Sequence, residues 1–273
     1  MPNTIEQKIS ALRDELRMHN YNYYVLDAPV ISDFEFDIKL KELEKLETEN
    51  PQFFDANSPT QRVGGSITKN FNSVVHKNRM YSLANSYSKE DLEDWEKRIK
   101  KMLGSDEIEY TCELKYDGAS INLLYDNGML KSAVTRGDGF EGDEVTENIR
   151  TIKSIPLVLT KKHKETFEIR GEIILPLDGF NKMNEERIDI GEEPYRNPRN
   201  TASGSLKLQD SGEVAKRPLD CLLYHIVSDK PIKNTHFETL EFAREIGFKV
   251  PKAIEVCKSI NQVFRFIEKW NTE

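Results

Sequence analysis

The chain has 273 residues, a formal net charge of −8, 37% hydrophobic residues and 32% charged residues. This composition is typical of a globular protein with one large or two smaller domains, and no apolar run is long enough to span a membrane. The N-terminus lacks the apolar core of a signal peptide, and the three cysteines lie far apart without C-x-x-C spacing. We therefore expect a cytoplasmic protein that does not bind a membrane and has neither a disulfide framework nor a metal site built on cysteine.

The distribution of charge limits what the chain can bind by itself. Residues 1–60 contain 12 acidic and 6 basic residues. Domains that hold DNA usually present a basic surface, so we expect that this chain alone would hold DNA poorly.

Two helices are predicted at the N-terminus. The first covers residues 4–19, where Thr4 and Gln7 form a capping box and apolar residues recur at helical spacing. The second begins at Ser32 and ends before Asn50-Pro51. Without further context, the aromatic residues of this region are predicted to pack between the two helices: Tyr23, Tyr24, Phe34 and Phe36.

The following segment is predicted to connect two parts of the molecule. Residues 50–75 are rich in loop-forming residues and predict a mobile linker. The segment at 80–87 is compatible with a short strand. Ser88 then caps a helix that ends at Gly104, with an inward face of Leu92, Trp95, Ile99 and Leu103.

Apolar and polar residues alternate from position 108 to position 115. This pattern predicts a strand with one buried face, and it places Glu113 and Lys115 together on the opposite face. A strand of this kind would present the lysine to solvent or to a ligand.

A hairpin is predicted directly after this strand. Asn127-Gly128 favours a type I′ turn, and counting back from the turn places Ala119 opposite Arg136. Arg136 is therefore expected beside the segment that carries Lys115, although Gly118 is a candidate break in the strand.

A lysine beside an arginine and carboxylates suits nucleophilic chemistry on a phosphate. With an ordinary pKa of about 10.4, roughly one lysine in a thousand is neutral near pH 7.5, and a nearby cation or desolvation favours the neutral nucleophile. Arginine can hold phosphate oxygens, and carboxylates can hold Mg²⁺. The alternative for K-Y-D-G at 115–118 is a solvated ion pair on a surface strand, because such short matches occur by chance.

The second half of the chain predicts further strands and helices. Strands are expected at 167–175, with Glu168, Arg170 and Glu172 on one face, and at 219–227. Small residues predict a turn at 197–206, and two helices are expected at 235–247 and 259–270. Because strands and helices do not alternate regularly, we predict an α+β fold with a mostly antiparallel sheet.

Five motifs follow one another along the chain: K-Y-D-G at 115–118, T-R-G-D-G at 135–139, G-D-E-V-T-E-N-I-R-T-I at 142–152, R-G-E at 170–172 and N-P-R-N-T-A-S-G-S-L at 197–206. Together they resemble the nucleotidyltransferase domain of bacterial NAD⁺-dependent DNA ligases, and the resemblance covers essentially the whole chain. It implies a small helical subdomain at 1–66 that binds the nicotinamide mononucleotide (NMN) half of NAD⁺. It also implies a nucleotidyltransferase, or adenylation, domain at 67–273.

The resemblance also implies catalytic roles. Lys115 would attack NAD⁺ to form lysyl-AMP with release of NMN. Asp117 and Glu172 would position Mg²⁺ or its waters, with Glu172 also near the ribose, and Arg136 would neutralise charge on the phosphate.

Further positions would bind the nucleotide or the DNA. Ser82, Leu83 and Glu113 match residues that border the nucleotide. Arg199 would meet the 5′-phosphate of a nick or shape the nucleotide site. Lys207 stands where family members often carry arginine, so it keeps the charge without the forked geometry of a guanidinium.

In the helical subdomain the resemblance implies an aromatic stack on the pyridinium ring, with carboxylates that offset its charge and bind ribose hydroxyls. The chain has Tyr24 where many members have histidine. It has Phe36 where tyrosine is usual, which keeps the stacking face and loses a hydroxyl. The matching positions are Tyr23, Asp33, Phe34, Glu35, Phe36 and Asp37.

The family's D-G-[apolar]-V-[apolar]-K motif and its OB-fold, zinc, helix-hairpin-helix and BRCT modules have no match here, so we expect an N-terminal fragment. We expect a monomer that binds NAD⁺ and adenylates itself weakly, while sealing of nicked DNA belongs to the full-length enzyme. Two alternatives stay open. One is an ATP-dependent covalent nucleotidyltransferase, which also uses K-x-D-G but has no nicotinamide to stack, and the other is a non-catalytic nucleotide-binding fragment.

Overall fold

The computed structural model describes residues 4–62, 70–161 and 163–271. Every strand pairing in these ranges is antiparallel, so the predicted α+β class is confirmed. The predicted boundary between residues 66 and 67 lies outside the described residues. The helices are α1 (Ile5–Tyr24), α2 (Asp33–Glu49), α3 (Lys89–Leu103), α4 (Thr146–Arg150), α5 (Leu177–Asp189), α6 (Pro198–Leu206), α7 (Ser211–Ala215), α8 (His236–Glu245) and α9 (Ile260–Trp270), and the strands are β1 (Ser73–Val75), β2 (Tyr110–Glu113), β3 (Ala119–Asp126), β4 (Met129–Thr135), β5 (Glu141–Asp143), β6 (Phe167–Ile174), β7 (Asp220–Val227) and β8 (Ile254–Cys257).

The first two helices form a pair with a small core of its own. Their apolar stripes meet through Ile9, Leu12 and Leu16 of α1 and Leu43 of α2. Both predicted capping boxes are present, at Thr4 and at Ser32. Helix α1 is longer than predicted, because no glycine or proline interrupts residues 20–24 and the chain turns only at Asp27, whose φ angle is +54°.

The main core lies under one face of a four-stranded sheet with the order β4-β3-β6-β7. The core face of β3 carries Ile121, Leu123 and Tyr125, and β6 contributes Ile169 and Ile173. Helices α4, α6 and α8 also bury side chains in this core. The opposite face of β3 and β6 carries polar residues, as the alternation of residues 167–174 predicted.

The hairpin of β3 and β4 follows the predicted turn but not the predicted register. Asp126 pairs with Met129 beside the turn, and a β-bulge at Leu124/Tyr125 then shifts the pairing by one residue. As a result Ser120, not Ala119, lies opposite Arg136, whose backbone N–H donates to the Ser120 carbonyl at 3.1 Å. The bulge therefore places Arg136 with the polar face of the sheet instead of the core face.

Strand β2 belongs to a second, smaller sheet. It pairs with β8, and Tyr110 packs with Cys257 and Phe266 in a separate core, so the predicted buried face is confirmed. The chain leaves this sheet after β2 and enters the main sheet at β3. The predicted inward position of Leu103 on α3 is wrong, because this side chain at the helix end is 65% exposed.

Residues 197–206 form a helix where a turn was predicted. Asn197 caps α6 by accepting from the Asn200 N–H at 3.1 Å, and Pro198 occupies the first helical position. Across the described ranges every helix is too short or too polar to cross a lipid bilayer.

The helical pair is attached to the rest of the chain through Arg62. Its guanidinium is partly buried and donates to the carbonyls of Ile152 at 3.1 Å and Ile155 at 2.9 Å. Burial lowers the pKa of Arg62 to about 10, so it stays charged at neutral pH. Arg150 donates in the opposite direction, to the carbonyl of Ala56 at 2.8 Å.

Candidate active site

Lys115 lies in the short connection between β2 and β3, where the chain passes from one sheet to the other. Its side chain is exposed. Among the described residues its ammonium has no hydrogen-bond or ion-pair partner, although Glu113 and Asp117 are each only two positions away along the chain. Such a lysine is accessible to a ligand that approaches the polar face of the main sheet.

Asp117 is held by Arg199 through an ion pair of 2.9 Å. Arg199 lies in the first turn of α6, so the cap at Asn197 fixes its position. Both side chains are more than half exposed, and such a pair stabilises the fold by less than about 1 kcal/mol. The contact orients the two groups more than it stabilises the protein.

Glu172 of β6 is the most firmly placed carboxylate of the site. It accepts hydrogen bonds from the Gly118 N–H at 3.2 Å and the Ser120 hydroxyl at 2.8 Å. Gly118 lies so close to β6 that a Cβ at this position would overlap the carbonyl of Ile173. Glu172 therefore fixes the end of the lysine segment against the main sheet.

Ser120 and Tyr224 lie beside the candidate site, and the sequence did not reveal them. The hydroxyl of Ser120 contacts both Glu172 and Tyr224. Burial raises the pKa of Tyr224, while its hydrogen bond with Ser120 acts in the opposite direction. Only the cross-strand pairing of Ser120 with Glu172 could have identified the serine, and that pairing requires the register of β3 and β6.

Arg136 follows β4 and is exposed. Its guanidinium has no partner among the residues that the structure describes. Its carbonyl contacts His76 Nε2 at 3.1 Å and accepts the Gly139 N–H at 2.9 Å. The backbone is thus fixed while the side chain is free to meet an anion.

Glu113 forms a second link between elements. Its carboxylate contacts Nε2 of His236, the first residue of α8, at 2.6 Å. The ring of His236 lies 5.8 Å from that of His225 on β7. Burial lowers the pKa of His225, and the nearby His236 and Arg170 act in the same direction. No sequence pattern indicated either histidine.

Other predicted nucleotide and DNA residues lie apart from this group. Ser82 and Leu83 are exposed in a segment without regular structure, and Leu83 is 75% exposed. Lys207 is at the opposite end of α6 from Arg199, about 12 Å away along the helix axis. It pairs with Asp143 at 2.7 Å.

The candidate NMN residues lie on the surface of the helical pair. Tyr23 and Phe34 are 44% and 74% exposed, and the predicted packing of these rings between the helices is wrong. Phe36 does pack against the small core. Asp33 and Asp37 are exposed, whereas the carboxylate of Glu35 is occupied by the cap of α2, accepting from the Ser32 N–H at 2.9 Å.

The described residues contain no cluster of three or more histidine, cysteine or acidic side chains placed to hold a metal ion. Asp117 and Glu172 are the carboxylates that flank Gly118. Such a pair suits a hydrated ion that is bound mainly by phosphate oxygens, which is how Mg²⁺ usually binds at nucleotide sites.

Comparison with known proteins identifies two regions. Residues 68–273 match the family model described as the NAD-dependent DNA ligase adenylation domain, and residues 2–64 match the DNA ligase-like, N-terminal NAD⁺-binding domain. Proteins named DNA ligase from Flavobacterium psychrophilum, Flavobacterium johnsoniae and Bacteroides fragilis are 64%, 63% and 50% identical to it over 98%, 98% and 99% of this chain. The chain spans 40%, 40% and 41% of the length of these relatives.

Proposed function

The chain belongs to the NAD-dependent DNA ligase family, and on that premise we propose that it carries out the first step of ligation, the transfer of AMP from NAD⁺ to Lys115. The observation that carries the proposal is the exposed amine of Lys115, which is unpaired among the described residues. Its connection also carries Asp117 and is joined at Gly118 to Glu172, and Arg136 lies opposite Ser120 at the start of β3. This arrangement offers a nucleophile, a cation for phosphate and two carboxylates for a hydrated metal ion.

In the proposed step the neutral amine of Lys115 attacks the phosphorus of the AMP half of NAD⁺. A nitrogen–phosphorus bond forms, the bond from that phosphorus to the bridging oxygen breaks, and NMN leaves with the oxygen on its phosphate. The amine proton passes to solvent. The guanidinium of Arg136 offsets the charge that the phosphate oxygens develop.

Mg²⁺, when bound, would neutralise the pyrophosphate and make it a better target for the amine. Asp117 and Glu172 would hold its water ligands. Glu113 and the segment with Ser82 and Leu83 would border the nucleotide.

We assign the NMN half of NAD⁺ to the helical pair, as a subdomain over 1–66, with the adenylation domain over 67–273. The exposed rings of Tyr23 and Phe34, with Phe36 beside them, offer apolar faces to a cationic pyridinium. Asp33, Glu35 and Asp37 supply negative charge in the same turns of α2. This region favours NAD⁺ over ATP, because ATP has no nicotinamide.

In the whole ligase we propose that AMP then passes from Lys115 to the 5′-phosphate of a nick in double-stranded DNA, with Arg199 and Lys207 as phosphate contacts. The 3′-hydroxyl then displaces AMP and the nick is sealed. We place this protein in the cytoplasm and expect it to act as a monomer.

The test is intact-mass measurement with peptide mapping after incubation with NAD⁺ and Mg²⁺. We expect one added AMP on Lys115, no adduct in Lys115→Ala, and no adduct with ATP in place of NAD⁺. An adduct with ATP would favour the ATP-dependent alternative. A folded chain that binds NAD⁺ but gains no AMP would favour a non-catalytic nucleotide-binding role.

A further inference from the structure

The carboxylates that flank Lys115 in the sequence are both bound to other residues. Glu113 contacts His236 at 2.6 Å, and Asp117 contacts Arg199 at 2.9 Å. A third carboxylate, that of Glu172, accepts hydrogen bonds from the Gly118 N–H and from the Ser120 hydroxyl.

This arrangement is not what proximity alone would produce. Residues two positions apart in an extended chain have Cα atoms at most about 7 Å apart, and the lysine and glutamate side chains are long enough to meet across that distance. β2 ends at Glu113 and Lys115 follows two residues later, so an ion pair between the two side chains would be the simplest outcome of proximity. Such a pair would stabilise the ammonium, which is not a nucleophile.

We propose that His236 is a positioning residue that holds the Glu113 carboxylate away from Lys115 and so keeps the amine available for attack. The proposal rests on the function proposed above, in which Lys115 is the nucleophile. His236 matters more here than Arg199, because the Glu113 side chain is 20% exposed and Asp117 is 65% exposed. A charge that is less exposed is screened less by water and salt.

His236 is held in position by its own helix and not by β2, the strand that carries Glu113. Thr235 caps α8 by accepting the Glu238 N–H at 3.1 Å, and Leu240 and Ala243 bury the helix in the main core. The imidazole is thus carried by the main core while Glu113 belongs to the smaller sheet. The contact therefore joins the smaller sheet to a helix of the main core, two positions before Lys115.

Several charged or titratable groups surround this arrangement and contribute to its pH dependence. His236 faces Glu113 of β2 and His225 of β7, and His225 in turn lies near Arg170 of β6. Glu238 belongs to the same helix end as His236. The groups of the site around Lys115 are Glu113, Asp117, Arg136, Glu172 and Arg199.

The experiment measures the reactivity of the Lys115 amine toward acetic anhydride as a function of pH, by peptide mass mapping, on the 273-residue chain without NAD⁺. In His236→Ala we expect the pH of half-maximal reactivity to rise by about 0.5 unit, which is the effect of one partly exposed ion pair. His236→Gln, which retains an N–H donor of similar reach, should stay near the wild-type midpoint.

Two further variants show whether the shift passes through Glu113. Glu113→Gln cannot form an ion pair, so adding His236→Ala to it should produce no further rise. Glu113→Asp keeps the charge but is one methylene too short for the 2.6 Å contact, so it should reproduce the rise even if His236→Ala folds poorly. The pH at which the rate of AMP transfer from NAD⁺ is half-maximal should rank the variants in the same order.

An unchanged midpoint in both His236→Ala and Glu113→Asp would overturn the proposal, as would an equal rise with and without Glu113. Failure of the proposed function would give a different result. In that case the pH midpoints of Lys115 reactivity would shift among the variants as described, but the wild-type chain would gain no AMP from NAD⁺.

Discussion

The candidate residues of the main sheet and those of the helical pair differ in how they are held. On the sheet side, Glu172 accepts two hydrogen bonds from residues more than 50 positions earlier in the chain. On the helical pair, Tyr23 and Phe34 are 44% and 74% exposed and come from one short stretch of sequence. The sheet residues are brought together by contacts between distant parts of the chain. The aromatic residues of the helical pair lie on the surface at the end of α1 and the start of α2.

Because of this difference, substitutions in the two regions should affect stability and ligand binding differently. A substitution among the sheet residues removes contacts that hold β2, β3, β6 and α6 in place, so it should affect stability and activity together. A substitution among the exposed aromatic residues removes few contacts of the free protein. It should therefore affect ligand binding with little change in stability.

The largest effect is expected for Gly118→Ala. A Cβ at this position would overlap the carbonyl of Ile173 and come close to the Glu172 side chain, so β3 and β6 would have to separate locally. We expect a loss of about 3 kcal/mol in the free energy of unfolding, measured by denaturant titration, together with loss of the AMP adduct.

Gly204→Ala is the matched control. Gly204 lies within α6, and a Cβ there meets nothing within 4 Å, so alanine should be neutral or stabilise the chain by up to about 1 kcal/mol. Equal stabilities for the two variants would show that the close approach of Gly118 to β6 is not important.

An intermediate effect is expected where the two regions are joined. Arg62→Met keeps much of the side-chain volume but leaves the carbonyls of Ile152 and Ile155 without their guanidinium donor. We expect a loss of about 2 kcal/mol, seen as a lower thermal midpoint and faster proteolysis between the helical pair and the sheet. Arg98→Met on the exposed face of α3 should change neither quantity, and a similar loss there would contradict this interpretation.

Local patterns in the sequence predicted the elements but not their assembly. The capping residues Thr4, Ser32, Ser88 and Thr235 marked the starts of four helices, because a cap is a contact between residues three positions apart. The alternation along β6 likewise predicted which side chains share a face. These features depend on near neighbours only.

The parts that the sequence did not reveal depend on distant contacts. The bulge at Leu124/Tyr125 has no sequence mark, yet it changes the partner of Arg136. His236 lies 123 positions from Glu113, and nothing near either residue indicates the other. The family resemblance supplied the positions of the candidate site residues, while only the folded chain shows which of them are in contact.

The smallest effect on the fold and the sharpest test of the comparison is expected for Tyr23→Ala. Because the ring is 44% exposed, the free energy of unfolding should change by less than about 0.5 kcal/mol. Loss of a stacking face for the pyridinium should raise the KM for NAD⁺ in AMP transfer about 10-fold, equivalent to about 1.4 kcal/mol, with kcat little changed. Phe54→Ala removes another exposed ring of the helical region, 68% exposed, and should leave KM unaltered. A drop in stability with an unchanged KM would show that Tyr23 stabilises the fold and does not bind NAD⁺. The helical pair would then resemble the sheet region in how its candidate residues are held.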